Sequence, residues 1–262
     1  MANITVRKRQ EKEIKTVAIK INPQGNIKRA AVVCSSLFFS LVATISAYAV
    51  DNPQDPWEDF NRTIFGFNKV ADSYVLKPVA KGYDWIMPEP LDHGVSNVFA
   101  NLGETKNLLN NVLQGKVTDA GADITRLLIN STVGMLGLID VASSWGVDKN
   151  EEDFGQTLAS WGIASGPYLV LPLLTPSTVR DSIALIPDSY CVPQNHISHA
   201  ETRWSVRALD TVDKRAGLFA AETLIQGDEY AFVRDIYLQR REFLVSDGAA
   251  EDDFLSDDFD EE

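Results

Sequence analysis

The sequence has 262 residues, enough for one large domain or two small ones, and its 45% hydrophobic and 23% charged residues are typical of a globular protein. Its formal net charge of -13 disfavours binding to nucleic acid and electrostatic docking on anionic lipid head groups. Because the first 49 residues are basic overall, the rest of the chain is more acidic still. Any membrane contact is therefore expected to be apolar.

The first 49 residues have the pattern of an export signal. Lys28 and Arg29 precede an apolar run over residues 30–48, which ends in the small-x-small site formed by Ala47 and Ala49. We predict a signal peptide over residues 1–49, cleaved before Val50. An uncleaved membrane anchor is the alternative that the length of the run leaves open.

The two cysteines bear on lipidation. Cys34 follows Val33 near the start of the apolar run, whereas a bacterial lipoprotein needs a small residue and an apolar segment upstream of its modified cysteine. After cleavage only Cys191 remains, so we expect no intramolecular disulfide and a buried structural thiol.

A short polar linker over residues 50–54 leads to the first predicted helix. Asp55 is the predicted cap, Pro56 the first helical residue, and Glu58 completes a capping box. Apolar residues then recur at helical spacing, which predicts either a helix facing the core or one lying in a membrane interface. This predicted face comprises Phe60, Ile64, Phe67, Ala71 and Tyr74.

The next segments also have helical patterns. A short helix over residues 77–88 is predicted to stop at Pro88 and Pro90. A further helix is expected over residues 95–115, broken or kinked at Gly103 and ended by Gly115. Its apolar positions are Val98, Phe99, Leu102, Leu108, Leu109, Val112 and Leu113.

Residues 120–145 are the longest hydrophobic region after the leader. A single membrane span is disfavoured, because Asn130 lies at its centre with Asp140 and Arg126 nearby. The region predicts either a buried helix or a helical hairpin that enters a membrane partway, and Gly134 and Gly137 favour a bend between two helices.

Residues 151–181 contain an apolar run, 168–174, that is interrupted by Pro172 and flanked by Pro167 and Pro176. These prolines exclude a continuous helix or a central strand, and the run is too short to span a bilayer. We predict a short extended or half-turn segment, lying either as a buried connector or at the edge of a bilayer.

The C-terminal part is predicted to be a loop over residues 183–199, followed by two helices within residues 201–245. Asp228 is the predicted cap of the second, and its arginines Arg234, Arg240 and Arg241 are expected to face water or a partner. Residues 247–262 carry nine acidic and no basic residues and are expected to be disordered. The predicted architecture is one mostly α-helical domain over residues 55–246.

Catalytic signatures are missing from the sequence. Three histidines occur, His93, His196 and His199, without a matching set of ligands, so no metal site or cofactor is expected. Asp153 and Asp181 are interpreted as exposed helix caps rather than an acid/base pair. An enzyme is therefore the weaker class.

Several long motifs resemble the VacJ/MlaA family. They begin with DPWEDFNR at 55–62, FGFN at 65–68 and YVLKPVAKGY at 74–83, and continue with GVSN at 94–97 and LQGK at 113–116. Further matches are EDFGQTL at 152–158, GPYLVLP at 166–172 and YLQRR at 237–241. The resemblance covers nearly all of residues 55–248.

This resemblance implies a ring-like domain of short amphipathic helices in the inner leaflet of the outer membrane, beside a trimeric porin. It also implies removal of phospholipid from the outer leaflet through a central amphipathic channel, and transfer to a periplasmic lipid-carrier protein. The channel candidates are Phe60, Asn61, Phe65, Phe67, Asn68, Gly134, Gly137, Tyr168, Leu169 and Leu171. Many family members are lipoproteins, whereas Cys34 is badly placed. A soluble periplasmic lipid-binding or scaffold protein is the alternative, and a phospholipase is third.

Overall fold

The computed structural model describes residues 53–248. The predicted signal peptide, residues 50–52 of the predicted linker and residues 249–262 of the acidic tail lie outside the described residues. The predictions for these segments, and the predicted domain bounds, stay predictions.

The described chain begins with a continuous helical path. Helix α1 spans Glu58–Ala71, passes through a π-helical turn at Asp72–Leu76, and is followed by α2 at Lys77–Ile86. Helix α2 ends where Met87 becomes extended before Pro88, as its prolines predict. The predicted capping box is wrong: the residue preceding α1 is Trp57, and no side chain caps the helix.

Helix α3 spans Glu89–Gln114, with Pro90 in its first turn. It ends as predicted at Gly115, whose φ of 78° is the left-handed conformation favoured by glycine after a helix. The predicted break at Gly103 is wrong. A glycine costs only about 1 kcal/mol relative to alanine inside a helix, which the packing of α3 offsets.

The long hydrophobic region forms two helices rather than one. Helix α4 spans Val117–Thr132, and the one-turn helix α5 spans Val141–Ser144. A bend over residues 133–140 joins them and contains both Gly134 and Gly137, so the predicted bend is confirmed. Helix α6, Phe154–Ser160, follows after an irregular segment.

The proline-interrupted run forms a small hairpin. Strand β1, Tyr168–Val170, pairs antiparallel with β2, Pro176–Thr178, with Tyr168 opposite Thr178. The prediction of a short extended segment is confirmed. Strand β1 is buried, whereas Leu173 and Leu174 at the tip are exposed, so the run is a buried connector at its start and a surface element at its end.

The predicted loop at 183–199 is largely wrong. Helix α7 spans Val179–Cys191, capped by Thr178, and a 3-10 turn follows at Pro193–His196. Pro187 lies inside α7, where proline usually costs about 3 kcal/mol. The Thr178 cap and the packing of α7 against α6 hold the helix despite this cost.

Helices complete the described chain. Helix α8 spans Ala200–Gly217, the short α9 spans Phe219–Glu222, and α10 spans Glu229–Val245. The Asp228 side chain accepts a hydrogen bond from the N–H of Tyr230 and caps α10 as predicted. The described residues are therefore mostly α-helical, which confirms the predicted fold class.

The described chain has an unusual distribution of polarity. Its apolar core is a small cluster of Tyr168, Val170 and Tyr230, against which residues of α1 and α10 pack. Polar and charged side chains make up most of the other buried positions, while large apolar side chains are exposed on almost every helix. Within residues 53–248 no helix is both long enough and apolar enough to cross a membrane.

Candidate functional site

Asn61 fastens helix α1 to the hairpin. Its side chain is fully buried, and its Nδ2 donates to the carbonyl oxygen of Tyr168 at 3.1 Å and to Asp55 Oδ1 at 2.8 Å. Its Oδ1 accepts from the N–H of Val170 at 2.9 Å. Asp55, predicted as a helix cap, is instead a buried acceptor that also receives the Tyr230 hydroxyl.

Asn68 repeats this arrangement two helical turns further along α1. Its Nδ2 donates to the carbonyl oxygen of Leu171 at 2.9 Å, and its Oδ1 accepts from the N–H of Leu173 at 2.7 Å. Leu173 has a φ of 59°, which is unfavourable for a branched side chain. The side chain of Asn68 therefore holds a strained hairpin tip against α1.

The aromatic candidates of α1 separate into different environments. Phe65 packs edge-on against Tyr230 with ring centroids 5.6 Å apart, and Phe60 is half-buried. Phe67 is exposed, next to the hairpin tip held by Asn68. The predicted face containing Phe67 and Tyr74 is thus not the buried face of α1, on which Asn61 is the buried residue.

The structure brings several sequence-predicted candidates together at the hairpin. Asn61, Asn68, Tyr168 and Leu171 meet there, and Leu169 lies between them in buried strand β1. Gly134 and Gly137 lie instead in the bend after α4. The candidates therefore form two groups, one at the hairpin and one at the bend.

A polar interior lies between α3 and α4. Arg126 donates from Nε to Glu104 at 2.8 Å and from Nη2 to Asp140 at 3.0 Å, and both Arg126 and Glu104 are almost completely buried. Asn130 also donates to Asp140, at 3.0 Å. The hydroxyl and N–H of Ser143 donate to Asp140 as well, and these bonds, followed by those from Asn130 and Arg126, hold the pKa of Asp140 well below its usual range despite its desolvation.

Sequence reasoning missed this interior because it used only the apolar positions of α3 and assigned no role to the polar ones. The buried residues of α3 are instead Gly94, Asn101, Glu104, Asn107, Asn110 and Asn111. Their spacing of three, four and seven residues is the helical period, so the same search applied to polar residues would have found the face.

Asp123 is a carboxyl of this interior whose pKa is raised, in contrast to that of Asp140. It is fully buried and accepts one hydrogen bond from Asn111 at 2.8 Å, while its other oxygen has no partner among the described residues. Burial raises the pKa of Asp123 to about 6, and the nearby Glu104 adds to the shift.

The bend after α4 requires its two glycines. A Cβ atom at Gly134 would lie 2.2 Å from the carbonyl oxygen of Ile139, and one at Gly137 would lie 2.7 Å from the side chain of Asn101. Gly137 also has a φ of 94°. Gly134 therefore allows a close approach between backbone segments within the bend, and Gly137 allows the bend to approach the Asn101 side chain of α3.

A second buried ionic cluster joins α6, α7 and α10. Arg241 donates to Asp153 at 2.6 and 2.7 Å and to Asp181 at 2.9 Å, and Tyr237 donates to Asp181 at 2.9 Å. Burial alone would raise the pKa of Asp181, but Arg241 and Arg180 outweigh it and lower the pKa.

This ionic cluster corrects two predictions. Arg241 is buried rather than turned to water or a partner, whereas Arg240 is exposed. Asp153 does cap α6 by accepting from the N–H of Gln156, but Asp181 is buried in the first turn of α7, whose cap is Thr178. Asp153 and Asp181 are therefore partners of one arginine.

A cavity of about 500 Å³ lies between α3, α8 and α10. Its walls are mixed: Lys106 on α3 and Asp213 on α8 are charged, whereas Phe99 on α3 and Leu244 on α10 are apolar. Asp213 accepts hydrogen bonds from Ser96 and Tyr83, and burial raises its pKa. The cavity therefore offers charged groups of both signs beside apolar surface.

His196 and Cys191 lie against backbone carbonyl oxygens. His196 Nε2 lies 2.7 Å from the carbonyl oxygen of Tyr190, and the half-buried Cys191 donates to the carbonyl oxygen of Pro187. In the described range 53–248, no three His, Cys, Asp or Glu side chains are grouped so that they could hold a metal ion.

The outer surface of the described chain is apolar over several elements. Trp85 is 86% exposed at the end of α2, and Tyr74 is 80% exposed in the π-helical turn. Such extensive exposure of large apolar side chains marks a surface that meets a membrane or a partner protein. Amphipathic helices, a polar interior and an apolar exterior thus define a protein of the membrane-associated helical class.

The comparisons with known proteins identify the family. The MlaA lipoprotein family matches residues 53–244, and the chain belongs to it. The intermembrane phospholipid transport system lipoprotein MlaA of Haemophilus influenzae is 36% identical over 208 residues, covering 76% of this chain and 82% of that protein.

A second relative and a solved structure support the same family. The protein of the same name from Escherichia coli K12 is 33% identical over 202 residues, covering 74% of this chain and 79% of that protein. A solved structure from work on the structural basis for maintenance of bacterial outer membrane lipid asymmetry has a TM-score of 0.64 at 32% identity. The match covers 73% of this chain and 98% of that chain.

Proposed function

We propose that this protein maintains the lipid asymmetry of an outer membrane by removing phospholipid from the outer leaflet and passing it to a periplasmic lipid carrier. The observation that carries the proposal is the inverted polarity of the described chain, with polar side chains inside and large apolar side chains outside. The relatives are named as lipoproteins of an intermembrane phospholipid transport system, and these names support phospholipid as the transported molecule.

The position in the membrane follows from the same distribution. Described helices that are not both long and apolar enough to cross a bilayer, yet expose large apolar side chains, suit a ring of amphipathic helices in one leaflet, which we place as the inner leaflet of the outer membrane. Because part of the apolar surface can also pack against protein, a trimeric outer-membrane porin is the proposed partner.

The proposed channel combines the hairpin and α1. The Asn61 and Asn68 contacts fix the position of the hairpin, so we assign these side chains to the shape of the channel. Exposed Phe67 and half-buried Leu171 would contact acyl chains, and the cavity between α3, α8 and α10 would receive head groups. Tyr168, Leu169, Phe60 and Phe65 would support the hairpin from inside.

The soluble lipid-binding alternative is less well supported. A soluble carrier must enclose acyl chains in an apolar interior, since water would otherwise contact them. In the described residues the large side chains around the interior of α3 and α4 are Arg126, Glu104 and asparagines, and the apolar side chains point outwards. A phospholipase has no further observation in its favour.

The proposal can be tested in cells that lack the gene and are complemented with variants. Amino phospholipid in the outer leaflet is labelled with an amine reagent that does not cross the membrane. Deletion should raise the label, and the native chain should restore it. Asn68→Ala should fail to restore it at normal protein abundance, whereas Thr63→Ala, an exposed change on the same helix, should succeed. An unchanged label after deletion would refute the proposal.

A further inference from the structure

The bend over residues 133–139 is a strained loop with an apolar outer surface. Met135 and Leu136 have φ values of 55° and 61°, a conformation that large side chains rarely adopt. The same two side chains are 63% and 76% exposed. A loop that holds two large apolar side chains outwards at a conformational cost implies that something contacts them.

The loop hides its backbone polarity from the surroundings. Most of its N–H groups donate to carbonyl oxygens within residues 129–135; the donors are Val133, Gly134, Leu136, Gly137, Leu138 and Ile139. The carbonyl oxygen of Leu138 accepts from Asn97 at 3.2 Å. Paired donors suit a loop that enters hydrocarbon, where every unpaired backbone group is costly.

The loop also carries no charge. The sequence from Val133 to Ile139 is VGMLGLI, and the adjacent Asp140 is paired with buried Arg126. Nearby polar side chains, such as Asn101 and Asn130, are turned inwards to Ser131 and Asp140. A protein interface normally has a polar rim with hydrogen bonds, which this loop does not offer. An uncharged loop matches an uncharged hydrocarbon phase.

We infer that the 133–139 loop is a wedge that inserts Met135 and Leu136 into the acyl-chain region of a lipid bilayer. This inference rests on the proposed membrane location and adds to it the element that enters the hydrocarbon. It also assigns Gly134 and Gly137 a role in building the wedge, through their close approach to Ile139 and Asn101, rather than in lining the channel.

The first experiment separates membrane insertion from a structural role. Asparagine adopts the left-handed conformation more readily than leucine or methionine, so Met135→Asn/Leu136→Asn should keep or increase thermal stability. The same double variant of the mature chain should bind vesicles of phosphatidylethanolamine and phosphatidylglycerol at least about tenfold more weakly, because each inserted side chain is worth about tenfold or more. Binding is measured by flotation.

The matched control is Leu224→Asn, since Leu224 is 67% exposed in a turn close to the charged residues Glu222 and Asp228. This control should bind vesicles as the native chain does. Equal vesicle binding by the double variant and the native chain would overturn the wedge. A native chain that does not float with vesicles would overturn both the wedge and the proposed membrane location.

The second experiment measures depth and needs no loss of binding. In a Cys191→Ser background, Leu136→Cys is labelled with an environment-sensitive fluorophore, and Leu224→Cys serves as the control position. Lipids brominated along their acyl chains should quench the label at position 136 and leave the label at 224 unchanged. Quenching at neither position while the chain remains bound would overturn the wedge and leave the proposed function intact.

Discussion

Replacing Asn61 with alanine should destabilise the fold more than its small size suggests. The change removes three hydrogen bonds at once, to Asp55, to the carbonyl oxygen of Tyr168 and from the N–H of Val170, all of them buried. Each buried group left without a partner costs about 1–3 kcal/mol. Asp55 keeps the Tyr230 hydroxyl on Oδ2 but loses its Asn61 partner on Oδ1, so the carboxylate adds to the cost of the two unpaired backbone groups of β1.

The expected loss for Asn61→Ala is therefore about 3 kcal/mol or more in the free energy of unfolding. The measurement is urea unfolding of the mature chain in detergent, followed by the fluorescence of its tryptophans. Thr63→Ala is the matched control, because Thr63 is exposed and bonds only to the carbonyl oxygen of Asp59 on its own helix. Asn61→Ala unfolding within about 0.5 kcal/mol of the native chain would refute the hydrogen-bond account of the hairpin.

Three further changes test other parts of the structure. Asp123→Asn should remove part of the pH dependence of stability. The folded-state pKa of Asp123, about 6, lies above the usual 3.8, so the native chain binds a proton more readily when folded. In unfolding experiments its free energy of unfolding should therefore rise on the order of 3 kcal/mol relative to the variant as pH falls from 7 to 4. An equal pH dependence in the two proteins would exclude this titration. Gly134→Ala should lower the melting temperature sharply, because its Cβ would meet the carbonyl oxygen of Ile139, whereas Gly103→Ala has free space and should raise stability by up to about 1 kcal/mol. A higher melting temperature for Gly134→Ala than for Gly103→Ala would contradict the close contact at Gly134. Asn68→Ala should expose the hairpin tip to faster amide hydrogen exchange at Leu173, and unchanged exchange there would show that the contact does not hold the tip.

The helix content could be predicted from the sequence because it depends on local signals. Gly115 ends α3, Asp228 caps α10, and Pro88 and Pro90 separate α2 from α3, each through the conformation of the residue itself. The bend at Gly134 follows from the same kind of signal.

Local signals do not show which side of each helix is buried. Apolar periodicity identifies a helix but gives its inner face only if the surroundings are water, and α3 buries Asn101, Glu104 and Asn111 instead. Where the surroundings are apolar, the polar face of a helix can be the buried one. The apolar pattern alone therefore could not show which face of α3 is buried.

Other failures came from long-range contacts. Asp55 has the sequence context of a cap, but its partners Asn61 and Tyr230 lie 6 and 175 residues away. Pro187 has the local signal of a loop, yet the Thr178 cap and the contacts of α7 with α6 keep a helix there. Arg241 likewise finds Asp153 and Asp181 only after the chain has folded.

The central claim is that the apolar exterior holds this protein in a membrane. The most direct test is fractionation of cells that express either the native chain or Cys34→Ser, which removes the cysteine of the leader, with intact mass measured on the recovered protein. We expect both chains in the outer membrane, released by detergent but not by high salt, and both beginning at Val50 without an acyl group. Recovery of Cys34→Ser from the soluble periplasm would contradict the claim.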